Sequence, residues 1–514
     1  MPILYHTDML RLNQRFPKQL PTGWLLSSLA DLARVEMGQS PESVHYNNEG
    51  TGLPFFQGKS EFGARHPEVM KWCSEPKKIA EPGDILLSIR APVGPTNIAQ
   101  ERACIGRGLA AIGAEKPASQ LYLFYFFRHL EPWLSEQGTG TTFAAIGGEF
   151  LRAVELPIAP VAEQTRIVER LEELLSDLDA GVAELKAAQK KLAQYRQSLL
   201  KAAMEGGLTA EWRAKHQPTE TGAQLLDRIL TERRARWEAK QLAKFEEQGK
   251  APPKDWHDKY PEPIQPELGL PNLPENWLWS SLGQCFHVAV GATPSRKEPS
   301  YWNGNIPWVS SGEVRFSRIK ATKERISELG LKNSSTEINP TGSVMLGMIG
   351  EGKTRGQVAI LDIEAANNQN CAAIHVSETD VPPEYVYYWL WSRYEETRRG
   401  SSGNNQPALN KSIVERIPIP IAPPMELQAI VGLVEALLSQ IESQEAAIAV
   451  SLKQASAQRQ NILKAAFSGQ LVAQDPNDEP ASVLLERIRA ERLGRASSPN
   501  NHPSAARTGR KPKC

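Results

Sequence analysis

The sequence predicts an α+β protein: two tandem mixed α/β domains separated by two long antiparallel coiled-coil helices, in a pseudo-twofold duplication. Three observations predict it. First, Leu20-Pro21-Thr22-Gly23-Trp24, followed by Ser27-Ser28-Leu29, returns as Leu273-Pro274-Glu275-Asn276-Trp277, followed by Ser280-Ser281-Leu282. Second, each copy continues with short apolar runs bounded by Gly and Pro, the mark of strands. Third, each copy ends in a proline-free stretch whose apolar residues recur at alternating spacings of four and three, the mark of a helix seam.

The repeat orders the chain. At the offset that carries Pro21 to Pro274, Val35, Gly38 and Pro41 match Val288, Gly291 and Pro294, and Pro54-Phe55 matches Pro307-Trp308. Further on, Pro157-Ile158-Ala159-Pro160 matches Pro420-Ile421-Ala422-Pro423. Arg196-Gln197 with Leu200-Lys201-Ala202-Ala203 matches Arg459-Gln460 with Leu463-Lys464-Ala465-Ala466. The second copy therefore holds about ten extra residues before its helix. A third echo relates Leu225-Leu226, Arg228-Ile229 and Glu232-Arg233 to Leu484-Leu485, Arg487-Ile488 and Glu491-Arg492. The period is far too long for a solenoid. The division expected is a first domain over 18–160, a long helix over 161–207, a charged helix and Pro-rich connector over 208–269, a second domain over 270–423, a second long helix over 424–470, and a short helix with a disordered basic tail over 471–514.

Within the domains, Ile85–Ile89, Ser343–Leu346 and Val358–Leu361 read as strands. The aromatic segments Leu121–Phe127 and Tyr385–Trp391 read as buried core helices rather than base-stacking platforms. In the first long helix the seam runs through Ile167, Leu171, Leu174, Leu178, Leu185, Leu192 and Leu199. In the second it runs through Ile430, Val434, Leu437, Ile441, Ile448 and Ile462, with more polar residues in its later half. Each seam spans about 50 Å at 1.5 Å per residue. A stripe of that length cannot be buried by one helix alone, so pairing of the two copies is expected.

Composition narrows the function. Lys plus Arg and Asp plus Glu both number 59, which excludes a polybasic protein. No stretch approaches about 20 uninterrupted apolar residues, so no transmembrane helix is expected. Met1–Asp8 has no basic segment leading into an apolar one, so a cytoplasmic location is expected. The five cysteines form no CxxC pair, which argues against a zinc ribbon or a disulfide scaffold. Gly347–Thr354 fits GxxxxGK[ST], but the strand-like Arg355–Ile360 follows where a phosphate-binding loop must open a helix. A Gly-rich β-turn presenting Lys353 and Arg355 is the better reading. No methyltransferase glycine loop, clustered nuclease carboxylates or HxxxH pair occurs. No catalytic site is expected, and no metal site.

The whole pattern resembles the specificity subunit of type I restriction–modification enzymes. The resemblance rests on the two Leu-Pro-x-x-Trp openings, on Ile306–Gly312, and on the segment Gly350–Ile360. It rests also on the loops Gly138–Thr142 and Ser401–Gln406 before Pro-Ile-Ala-Pro, and on Glu163-Gln164 (Glu426 and Leu427 in the second copy) ahead of each long helix. It covers about residues 20 to 492. The resemblance implies a non-catalytic DNA-reading subunit. Each mixed domain would be a target recognition domain for one half of a bipartite, asymmetric double-stranded site. The paired helices would set the unread spacer and dock the modification subunits. No cofactor would be bound by this chain, since S-adenosylmethionine, Mg and ATP belong to the modification (methyltransferase) and restriction (translocase and nuclease) subunits.

Charge does not advertise such a role: neither domain carries a net excess of basic residues, so any attraction for phosphate must be local. Contacts must come from exposed loops. The candidates are Lys59, Arg65, Arg90 and Arg107 in the first domain, and Arg296, Lys297, Arg315, Arg318, Lys353 and Arg355 in the second. Because Asn and Gln pair with adenine as Arg pairs with guanine, Asn404, Asn405 and Gln406 join them. Two rival readings are a stand-alone DNA-binding or coiled-coil adaptor without restriction–modification partners, and an NTPase resting on the Lys353 loop.

Overall fold

The computed structural model describes residues 19–137, 145–266, 269–350, 353–399 and 409–497. The loops Gly138–Thr142 and Ser401–Gln406, with the candidates Asn404, Asn405 and Gln406, lie outside the described residues, as does the tail from 498 onward. The chain forms two compact units. One holds the residues up to Lys186 and those from Ala449 on; the other is Ala187–Ile448.

In the first unit the strand Leu25–Ser28 pairs antiparallel with Glu155–Ile158, Leu25 facing Ile158. This joins the Leu-Pro-x-x-Trp opening to the Pro-Ile-Ala-Pro exit, so two distant repeats are two edges of one ladder. Between them lies an antiparallel four-stranded sheet in the order Ala33–Met37, Leu109–Ala114, Ile85–Ser88, Thr96–Ile98. Ile85–Ser88 is buried throughout, which explains why its sequence runs apolar instead of alternating. A second sheet of five short strands includes the parallel pair Leu53–Phe56 and Ala103–Ile105. The aromatic segment is the helix Gln120–Gln137, with Tyr122, Phe126, Phe127 and Trp133 in the core. Tyr122 and Phe126 meet Phe467 edge-on at 5.2 and 5.4 Å. Phe467 closes the second long helix, so that helix end is part of the first unit's core. Burying one such ring fully is worth roughly 1.5–3 kcal/mol.

The second unit repeats the plan. Leu278–Ser281 pairs with Pro418–Ile421. Its main sheet runs His287–Val290, Cys371–His375, Val344–Gly347, Val358–Leu361, Ser317–Ile319, the last pair being parallel. The strand Trp302–Val309 anchors a three-stranded sheet, and the added length of this copy follows it, since Pro54-Phe55 still matches Pro307-Trp308 at the original offset. The helix Pro383–Ser392 buries Tyr385, Val386 and Leu390. Tyr385 donates its hydroxyl to the carbonyl of Pro420 at 2.8 Å, as Tyr122 does to Pro157 at 2.9 Å.

The long helices are Val161–Met204 and Pro424–Phe467, 44 residues each. That is about 66 Å at 1.5 Å per residue, longer than the seams alone implied. Each ends the same way. The amides of Gly206 and Gly207 bond the carbonyls of Ala203 and Ala202, and those of Gly469 and Gln470 bond Ala466 and Ala465. Gly206 and Gly469 take φ of +74° and +71°, the left-handed stop that glycine permits. A methyl on Gly469 would also strike Pro21.

Burial along the seam is uneven. Ile167, Leu171 and Leu199 are buried, as are Ile430, Val434 and Ile441. Leu174, Leu178, Leu185, Leu192, Leu437, Ile448 and Ile462 are half-buried, while Leu175 and Leu438 are buried beside the expected positions. Near each helix start the stripe drifts because that turn faces a domain as well as another helix. Within the second unit the helices run antiparallel: Arg196 pairs with Glu445 at 2.7 Å, and Thr209 bonds Glu426. Within the first, Asp179 pairs with Arg459 and Arg166 with Asp478.

The segment expected as charged helix and connector is partly core. The helix Gly222–Glu247 buries Leu225, Leu226 and Ile229 in the second unit, and Ala481–Ser497 buries Leu484, Leu485 and Ile488 in the first. Gly222 donates to the carbonyl of Asn276 and Ala481 to that of Gly23, both at 2.9 Å. Arg233 bonds the carbonyls of Gly283 and Gln284, and Arg492 that of Ala30. The third sequence echo is thus a helix that docks onto the start of a domain. Helical structure also continues through Ser497.

Candidate nucleic-acid interface

In the first unit three loops far apart in sequence meet around one open cavity of about 540 Å³. The 3₁₀ turn Lys59–Glu61 brings Lys59, the turn after Ile85–Ser88 brings Arg90, and the turn before Leu109–Ala114 brings Arg107. All three side chains are exposed, and no carboxylate is among the described residues that line the cavity. The loops are held from below. Ser88 Oγ donates to the carbonyls of Arg90 and Pro92. The Arg107 amide donates to Ser40 Oγ at 3.3 Å. Tyr46, also on the wall, stacks on Phe55 at 4.6 Å and donates to the Pro41 carbonyl. Gly38 lets the first strand pass against the Arg107 turn, since a Cβ there would lie 2.2 Å from the Gly106 carbonyl oxygen. Three cations around one open cavity can hold an anionic backbone or the acceptor edge of a guanine.

Arg65, the fourth candidate of this domain, is elsewhere. It pairs with Glu172 of the long helix at 2.9 Å.

The second unit's candidates divide. Lys297, Arg315 and Lys353 are exposed. Arg296 is bound to Glu324 and lies over the Trp302 ring at 3.7 Å, and the Arg296 hydrogen bond holds Glu324 below the usual carboxylate range. Arg318 pairs with Asp362 and Glu384 at 2.8 and 2.9 Å. Arg355 requires a correction: it was expected on an exposed turn, but it is buried, with its guanidinium donating to the Arg398 carbonyl. The carboxylate partners sit 28 to 66 residues away in sequence, which is why the sequence did not reveal them.

The Lys353 loop joins two antiparallel strands, Val344–Gly347 and Val358–Leu361. The Gly356 amide returns to the Gly347 carbonyl at 2.8 Å. The chain runs from this loop into a strand and not into a helix, as a phosphate-cradling loop requires. Among the described residues there is no group of three His, Cys, Asp or Glu placed to hold a metal ion, and no helix is long and apolar enough to cross a membrane.

Sequence reasoning missed two features. One is a pair of buried junctions beneath the domains. Trp24 Nε1 donates to Glu163 and Trp277 Nε1 to Glu426, both at 2.8 Å. Glu426 is 1% exposed and also receives Thr209 and Arg213. Glu163 receives Gln474, and burial lifts its carboxyl above the ordinary range. The matched Trp and Glu of the repeat were the available signal. The other missed feature is Gln369, exposed on the turn before Cys371–His375, where it accepts from Thr293.

Residues 21–187 and 274–454 match the family model described as the type I restriction modification DNA specificity domain. The chain is 37% identical over 180 residues to the putative type I restriction enzyme MjaX specificity subunit of Methanocaldococcus jannaschii, which spans 34% of this chain and 42% of that protein. It is 23% identical over 490 residues to the EcoDI specificity subunit of Escherichia coli, which spans 92% of this chain and 96% of that one. It also matches a solved structure described as the structural basis underlying complex assembly and conformational transition of the type I R-M system. The TM-score there is 0.62 at 17% identity, over 88% of this chain and 100% of that chain, which shows a shared fold.

Proposed function

We propose how this chain acts from one premise: it belongs to the type I restriction modification DNA specificity family. It is the non-catalytic, sequence-reading subunit of a cytoplasmic restriction–modification complex. Each domain reads one half of a bipartite asymmetric site in double-stranded DNA. The paired long helices set the number of unread base pairs and dock the modification subunits. S-adenosylmethionine, Mg and ATP are held by the partner subunits.

One observation carries this reading. The two domains share their frame, from the Trp–Glu junction to the strand order, yet carry different side chains on the exposed turns. Two different readers on one frame suit an asymmetric site. Bidentate pairing to base edges supplies the discrimination, and the three cations of the first domain supply local attraction that the neutral chain lacks overall.

The test is co-expression with the neighbouring reading frames, purification, and mapping of methylated adenine in the host genome. Co-purification of a methyltransferase and a motif of two short blocks with a fixed gap is the expected result. A chain that purifies alone, with no bipartite motif, would favour the adaptor reading.

A further inference from the structure

The two domains superpose their reading turns residue by residue in hydrogen-bond terms. Gly106 donates its amide to the Phe56 carbonyl at 2.8 Å, and Asn368 donates to that of Val309 at 3.0 Å. Leu109 returns to the carbonyl of Gly106, and Cys371 to that of Asn368. Ile89 donates to the Gly108 carbonyl and Met348 to that of Asn370. This register places Arg107 of the first domain where Gln369 stands in the second. A neighbouring residue is matched in position, though its bond differs. Ser40 Oγ accepts from the Arg107 amide, while Thr293, its counterpart, donates to Gln369 Oε1. Ser40 and Thr293 are both half-buried, and Arg107 and Gln369 are both exposed.

We propose that Arg107 and Gln369 are equivalent base-reading residues, Arg107 for a guanine in one half-site and Gln369 for an adenine in the other. This rests on the DNA-reading function proposed above. The chemistry follows from the side chains. A guanidinium presents two parallel donors that match O6 and N7 of guanine. A glutamine amide presents one acceptor and one donor side by side, which match N6 and N7 of adenine. Thr293 occupies one lone pair of the Gln369 oxygen, leaving the second lone pair and the amide hydrogens. With its oxygen fixed by Thr293, the amide is held in one of its two flipped orientations.

The test uses the complex of the full chain with its co-purified modification subunits, and duplexes carrying each of the four base pairs at each position of the mapped half-sites. Wild type should require a guanine in one half and an adenine in the other. Arg107→Ala should lower the preference at one guanine position by roughly five- to 150-fold, with the other half unchanged. Gln369→Ala should do the same at one adenine position of the other half. Arg107→Gln and Gln369→Arg, which keep a hydrogen-bonding side chain, should shift the preferred base at those same positions. Equal weakening for all four base pairs would mark phosphate contacts and overturn the proposal, as would unchanged preferences in either alanine variant. If wild type itself shows no base preference in either half, the DNA-reading function fails first, and that outcome is distinguishable from the others.

Discussion

The two domains share a frame and differ at the rim. In the frame the copies use the same atoms: a tryptophan indole on a helix-borne glutamate, a tyrosine hydroxyl on a strand carbonyl, and an arginine on the carbonyl at the domain start. At the rim they differ. Arg107 gives way to Gln369 and Arg90 to the exposed Ile349, and the turn that carries Lys59 corresponds to Ser311–Glu313, without a cation. Packing and buried hydrogen bonds tolerate little change, whereas exposed side chains are free to diverge with the site they read.

The largest effect expected from breaking the frame is at the helix seam. Leu171 is fully buried and Leu185 half-buried. Leu171→Asp removes a core leucine and buries a charge, which should cost about 4 kcal/mol or more and disrupt assembly with the modification partner. Leu185→Asp should cost about 1 kcal/mol, because its carboxylate can reach water. Denaturant unfolding of the two variants checks this. Equal costs would mean that the seam is anchored along its whole length rather than at its ends.

The two junctions should differ next. Glu426→Ala leaves Arg213, Thr209 and the Trp277 indole without their shared acceptor, at about 3–5 kcal/mol. Glu163→Ala removes a carboxylate whose charge is already disfavoured by burial, and leaves Trp24 and Gln474 unpaired, at about 1–3 kcal/mol. Unfolding in denaturant should rank them in that order. A larger loss for Glu163→Ala would mean that the Trp24 and Gln474 bonds outweigh the three donors gathered on Glu426.

The frame was legible because it is written twice. Leu-Pro-x-x-Trp, Pro-Ile-Ala-Pro and the apolar seam each occur twice in the same order, and each recurrence is a ladder, a junction or a partly buried stripe. The rim was legible only in part. Lys59, Arg90 and Arg107 read as loop cations, and the fold brings all three to one cavity. Arg296 and Arg318 looked the same in sequence but are bound by carboxylates brought near by the fold. Gln369 escaped notice because a neutral residue on an exposed turn has no pattern of its own; only its register with Arg107 singles it out.

A smaller effect should separate free from tethered cations. Lys59→Ala should weaken DNA binding evenly across sequences and reduce the salt slope by about one. Arg296→Ala should leave that slope unchanged, since its guanidinium is committed to Glu324 and Trp302, and should cost stability of about 0.5–1 kcal/mol instead. Binding titrations over a range of salt concentrations distinguish them. A reduced slope for Arg296→Ala would mean that the Glu324 pair opens on DNA.

The smallest effect expected is a difference in acid response. In the second unit His287 bonds Glu337 at 3.1 Å, His375 approaches Glu378 at 3.6 Å, and the two rings meet at 4.9 Å, with Arg236 also near Glu378. The neighbouring histidines hold both carboxyls below the usual glutamate range, against the opposing effect of burial. Carboxyls depressed in this way stabilise the fold at pH values above the unfolded glutamate range, and that stabilisation is lost as pH falls through their folded values. In the first unit the strand position of His287 is taken by Arg34, bonded to Asp84, a pair that contains no imidazole. Glu378→Gln should therefore flatten the loss of stability below about pH 4.5 while costing about 0.5 kcal/mol or less at neutral pH, since Glu378 is partly exposed and screened. Unfolding of the full chain between pH 3 and 7, with and without the substitution, reads this directly. An acid limb unchanged by Glu378→Gln would assign the acid sensitivity to carboxylates outside this cluster.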